Sequence, residues 1–139
     1  MIALLLANLG CALFLAGIAW FLQVVQLPLL RDAADFPRYI RAHRLRNTLL
    51  MALPMAVELV SAMRLWWESG GVVATVLLVL VLVIWLATLA GVIPGFRRLV
   101  RGYDMMAVNR LIGWNGVRTV CWTARSGALL YIVARGIRI

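Results

Sequence analysis

The stretch Asn115-Gly116-Val117-Arg118-Thr119-Val120-Cys121-Trp122-Thr123-Ala124-Arg125 sets two arginines inside what otherwise reads as a membrane-spanning helix. At 3.6 residues per turn, Asn115, Arg118, Thr119, Trp122 and Arg125 share one face, so their polar groups form a stripe. That stripe must meet protein or water. A guanidinium at mid-bilayer costs roughly 3 kcal/mol on insertion scales, so each arginine calls for a partner or a ligand.

The rest of the chain fixes the setting. Its 139 residues are 65% hydrophobic and only 14% charged, with a mean hydropathy of +0.98. Soluble domains hold roughly 45–50% apolar and 25% charged residues, so the composition predicts an integral membrane protein. At about 20 residues per span, the length suits one all-α domain over residues 1–139, a four-helix bundle with short loops. Helices are expected at about 2–30, 36–66, 72–93 and 113–134, with an interfacial amphipathic segment at 97–112 between helices 3 and 4.

The boundaries follow from local signals. Residues 2–30 form one apolar run without a basic leader, read as a retained helix and not a cleaved signal peptide. Cys11 after Leu9-Gly10 has a lipoprotein look, but Asn8 occupies the position where that signal needs leucine. Asp35 is an expected N-cap for helix 2, with Pro37 in its first turn. His43, Asn47, Met51, Pro54, Glu58 and Ser61 recur at helical spacing, and that face should point inward. Trp66 and Trp67 precede a Ser69-Gly70-Gly71 turn, where an aromatic belt belongs. Helix 3 has no polar stripe, which predicts the most lipid- or partner-facing helix, and Pro94-Gly95 is expected to end it.

Charge sets an orientation. All 14 basic residues are arginine, and the net charge is +9. Nine arginines flank the 1–2 and 3–4 connections, while Arg64, Arg135 and Arg138 lie at the opposite ends. The positive-inside rule then puts both connections in the cytoplasm and both termini outside, a better account of the charge than nucleic-acid binding. Cys11 and Cys121 sit within apolar spans and read as reduced packing residues.

Glu58 lies about eight residues before Trp66 and Arg125 about nine before Ala134, which places both roughly 12–13 Å below the same surface. A bidentate pair would satisfy both charges. It would serve as an orientation lock between helices 2 and 4, as a cofactor, lipid or quinone headgroup site, or as a path for protons or ions. Arg118 is expected near Gln23 and Gln26, snorkelling with a glutamine as partner, or binding an anionic lipid or oxidised aromatic headgroup. Trp122 is a core residue or a stacking partner for the arginines. His43, the only histidine, is an interfacial residue or a candidate interfacial ligand for a pigment or haem. No metal site, catalytic set or nucleotide-binding loop can be assembled from the motifs, and the sequence requires no cofactor.

The helix 4 pattern Asn115-x-x-Arg118-Thr119-x-x-Trp122-Thr123-x-Arg125, with Gln23, Pro28, Phe36, Tyr39, His43, Pro54 and Glu58, resembles a group of small four-helix bacterial membrane proteins of unassigned function. More distantly it looks like the anthrone-oxygenase-like domain. That group's pattern carries further histidines where this chain has Ile40 and Phe96, so the resemblance implies no enzymatic metal site here. It implies a bacterial inner-membrane protein. The expected function is a non-catalytic accessory or binding subunit of a larger membrane complex, respiratory or photosynthetic assemblies being considered first. Its partners would be membrane lipids and other membrane subunits, with no nucleic acid. The alternative is a membrane oxidoreductase or a quinone- or lipid-headgroup-binding protein using Glu58, Arg118, Trp122 and Arg125, with Asn115 in the same polar cluster.

Overall fold

Leucine, valine, alanine and isoleucine dominate the spans, and such side chains leave the backbone to satisfy itself, which a helix does locally. The computed structural model describes residues 2–31 and 36–136. The described residues form four helices joined by short turns, with no strand among them. The first, α1, covers Ile2–Arg31: α-helical over Ile2–Phe21, a π turn at Leu22–Gln26 and a 3-10 turn at Pro28–Arg31. Helix α2 is Phe36–Ser69, α3 is Val72–Arg101 and α4 is Met105–Arg135. Helices α1, α2 and α3 are each long and apolar enough to cross a membrane.

Two boundaries depart from the sequence reading. Pro94-Gly95 does not end α3. A π turn at Thr88–Val92 precedes the proline, and the helix resumes at Ile93 and runs to Arg101. Proline conflicts with the carbonyl four residues back in an α-helix, and a π turn shifts that carbonyl's register by one residue. The same turn holds Gly91, where a β-carbon would overlap the Trp114 indole of α4, so glycine is required for the close approach.

The expected interfacial segment 97–112 is not one element either. It divides at Gly102-Tyr103-Asp104 into the end of α3 and the start of α4, so α4 begins eight residues before the expected 113. Asp104 makes the break: its carboxylate accepts from the backbone N–H groups of Met106 and Ala107, at 2.9 and 3.3 Å, and pairs with Arg98 at 2.7 Å. The Ala107 amide, then Arg98 and the Met106 amide, hold that carboxyl below its ordinary range. At the other end, Gly70 takes the left-handed conformation (φ 61°) that lets α2 turn into α3. The expected cap at Asp35 and the tail arginine Arg138 lie outside the described residues.

Both basic connections lie at one end of the bundle. Arg31 at the end of α1 donates to Asn109 Oδ1 near the start of α4 at 2.9 Å, and Phe36 meets Tyr103 edge-on at 5.0 Å. Trp66 Nε1 donates to Thr75 Oγ1 (3.1 Å) at the opposite end, beside an Arg64–Glu68 pair.

Helix α3 is not singled out by exposure. The buried share of the most apolar stretch is the same, 33%, in α1, α2 and α3, and each shows large apolar side chains outward, such as Phe21, Leu53 and Leu86. Helix α4 packs along α1 and α3 and faces α2 across the bundle interior, burying Leu111, Asn115, Arg118, Thr119, Trp122, Arg125 and Leu129 among others, while Val117, Val120 and Tyr131 stay exposed. That is why its polar stripe is tolerated: the stripe faces the three neighbouring helices.

Candidate functional site

The α4 stripe is buried along its whole length but divides into three settings. Asn115 and Thr119 face α1. Asn115 Nδ2 donates to Gln23 Oε1 at 2.8 Å and to the Ala19 carbonyl at 3.2 Å, and Thr119 Oγ1 also reaches that carbonyl at 3.4 Å. Thr119 bonds back to the Asn115 carbonyl at 2.8 Å, which leaves this corner closed.

Arg125 stands at the centre. Its Nε donates to Glu58 Oε1 at 2.9 Å, its Nη1 to the Leu77 carbonyl at 2.6 Å, and its Nη2 to Asn8 Oδ1. The second Glu58 oxygen accepts from Trp122 Nε1 at 2.9 Å. Asn8 Nδ2 donates to Ser61 Oγ (2.6 Å) and to the Glu58 carbonyl (3.0 Å), while Ser61 Oγ donates to the Val57 carbonyl at 2.6 Å. Arg125, Glu58 and Trp122 are at most 1% exposed. Groups from all four helices therefore meet at one point: Asn8 from α1, Glu58 and Ser61 from α2, the Leu77 carbonyl from α3, Trp122 and Arg125 from α4. Every polar side-chain atom in this cluster has a partner.

Sequence reasoning named Glu58, Trp122 and Arg125 but missed Asn8. The signal was an amide within an otherwise apolar run, where an unbonded amide is costly and so implies a buried partner. The contact through the Leu77 carbonyl has no side-chain signal at all.

Arg118 has a different environment. It is 2% exposed, yet its Nε has no hydrogen-bond partner, and its Nη2 reaches only the Met51 sulfur at 3.6 Å. Its guanidinium lies 4.8 Å from the Trp122 ring centroid. The glutamine partner expected for it is engaged elsewhere. Gln23 bonds Asn115, and Gln26 lies 2.8 Å from His43 Nδ1. The physical reason is the helical rotation: one residue along α4 from Arg118, Thr119 faces α1, which turns Arg118 away from both glutamines toward α2 and α3.

Arg118 there lines a groove of about 430 Å³ with Met51, Met55, Trp85, Phe96 and Arg97. The Trp85 Nε1 is also buried without a partner. Arg44 and Arg97 belong to the same lining and are solvent-exposed.

His43 does not join either arginine. It is buried, stacks on Tyr39 at 6.0 Å and packs against Phe96 at 5.4 Å, with Nε2 unpartnered. Phe96 thus sits directly beside it. Among the described residues, no three His, Cys, Asp or Glu side chains gather as they would around a metal ion. Cys11 and Cys121 are free thiols.

No family model matches the chain, and no curated protein or solved structure does either.

Proposed function

We propose that this chain is a non-catalytic, membrane-spanning four-helix bundle that works as a binding or accessory subunit. The closed cluster around Arg125 carries the reading. A catalytic or proton-moving carboxylate needs a free face toward a substrate or water, whereas both Glu58 oxygens are occupied and the pair is enclosed by all four helices. Large apolar side chains exposed on every helix, among them Phe21, Leu53, Leu86 and Val120, favour a lipid or protein-subunit surround over water. The resemblance to small four-helix bacterial membrane proteins belongs to the same proposal, as does an inner-membrane location.

In this reading the arginine-rich end, where Arg31 meets Asn109, faces the cytoplasm and the Trp66–Thr75 end faces outward. Two experiments test it. With Arg44→Cys, a membrane-impermeant thiol reagent should label only from the cytoplasmic side, and with Ser69→Cys only from outside; the reverse pattern sinks the orientation. Blue-native electrophoresis of solubilised source membranes should show the chain migrating with other subunits. An isolated chain carrying a redox-active chromophore would overturn the non-catalytic reading in favour of an oxidoreductase.

A further inference from the structure

We infer that the groove between α2, α3 and α4 is a binding site for one negatively charged amphiphile, with an anionic phosphate or carboxylate head held at Arg118. This rests on the membrane reading above and adds the ligand class. Three observations on the groove converge. First, the buried polar atoms of its lining that lack a partner are both donors: Arg118 Nε and Trp85 Nε1. A group that completes the site must therefore bring acceptors.

Second, the charge is one-sided. Arg44, Arg97 and Arg118 line the groove, and no carboxylate among the described residues does. Arg118 is nine-tenths or more buried with only a methionine sulfur at 3.6 Å and an indole face as neighbours, so its charge lacks a counter-ion. A buried guanidinium in that state is stabilised by an anion and by little else. Third, apart from Asn47, Thr48 and Thr88 the remaining walls are apolar. Met51, Met55, Leu89, Val92 and Phe96 offer a surface for a hydrocarbon chain, and the methionines can adapt to its shape.

An inorganic anion would satisfy the first two features and leave the third unused. An apolar cofactor would satisfy the third and leave Arg118 without a counter-charge. An acidic phospholipid or a fatty-acid anion satisfies all three, and basic pockets between helices at a cytoplasmic end are a recurring setting for anionic headgroups. The exposed Arg44 and Arg97 would draw the head toward the groove from the surface.

The test uses the full chain, purified in non-ionic detergent and delipidated. Native mass spectrometry should show a one-to-one adduct with phosphatidylglycerol, about tenfold weaker with phosphatidylcholine. Arg118→Gln should weaken the phosphatidylglycerol adduct by at least about tenfold, the range expected for losing a charge-assisted contact. Arg118→Lys should retain part of it, and Arg38→Gln, an exposed arginine outside the groove, should retain all of it. Competition separates the sources: displacement by oleate assigns the site to fatty-acid anions as well, still within the proposal. Occupancy by inorganic phosphate alone, matching the thermal shift given by the lipid, overturns the amphiphile. Equal phosphatidylglycerol binding by wild type and Arg118→Gln overturns the site. The membrane reading fails separately, by release of the chain from membranes on alkaline carbonate washing.

Discussion

Arg118 and Arg125 lie two turns apart on one helix and are equally hidden, at 2% and 0% exposure, yet their surroundings are opposite. Arg125 has a carboxylate, a carbonyl and an amide oxygen within hydrogen-bonding distance, from three different helices. Arg118 has a sulfur and an aromatic face. Burial alone therefore does not tell what an arginine inside the bundle does. What decides is whether the fold itself supplies acceptors for its donors: where it does, the guanidinium ties helices together, and where it does not, something else must complete it.

The sharpest way to break that comparison is to remove the charge at Arg125. Arg125→Gln strands the Glu58 carboxylate, and Glu58→Gln strands the guanidinium; breaking a buried pair this way costs about 3–5 kcal/mol. Each single variant should melt well below wild type in detergent, by circular dichroism or a tryptophan-fluorescence thermal scan. The double Gln variant should recover much of the loss, since no unpaired charge remains. Additive losses in the double variant would show that the two side chains do not act as a unit.

Asn8→Ala comes next. It removes the acceptor for Arg125 Nη2 and the donor to Ser61 and to the Glu58 carbonyl, so a loss of about 1–3 kcal/mol is expected. In the Glu58→Gln/Arg125→Gln background the same substitution should cost less, because the charge it served is gone. An undiminished cost would mean that Asn8 contributes packing and not network.

That dependence on Asn8 marks how far the sequence could be read. The all-helical architecture and the Glu58–Arg125 meeting were legible, because only one carboxylate lies inside the spans and helical rise puts it level with Arg125. The α2 face was legible for the same periodic reason at His43, Met51, Glu58 and Ser61, which are buried, while Asn47 and Pro54 lie half-buried at its margin. Asn8 was not, since one amide in an apolar run has no spacing partner on its own helix to reveal a face. Pro94-Gly95 misled because a π turn leaves no compositional mark. The allocation of Arg118 was also hidden: helical geometry gives the azimuth of a side chain, but which neighbour stands there depends on how the other three helices are placed against α4.

Trp122 sits between the two settings, bonding Glu58 through its N–H and lying under Arg118 with its ring. Trp122→Phe keeps an aromatic face and loses the N–H donor, so a destabilisation of about 1–2 kcal/mol is expected, below that of Asn8→Ala when the latter is at the top of its range. If the loss equals that of Arg125→Gln, the indole is contributing mainly volume, and the cluster is less dependent on hydrogen bonds than its geometry implies.

Arg118→Met should give the smallest effect and the opposite sign. In lipid-free detergent the substitution removes a buried charge that has no counter-ion and replaces it with a flexible apolar chain, a kind of exchange that is often neutral or stabilising. The expected change is within about 1 kcal/mol of zero and toward higher stability. Adding phosphatidylglycerol should reverse the order of the two proteins. A ligand that binds only the folded state stabilises it by about 2.7 kcal/mol at a hundredfold excess over its dissociation constant, and only the wild type keeps the site. Thermal scans of both proteins with and without the lipid therefore give four melting temperatures whose pattern is decisive. A fall in the lipid-free Arg118→Met protein as large as that of Arg125→Gln would mean that Arg118 is held by partners within the fold. The contrast between the two arginines would then collapse.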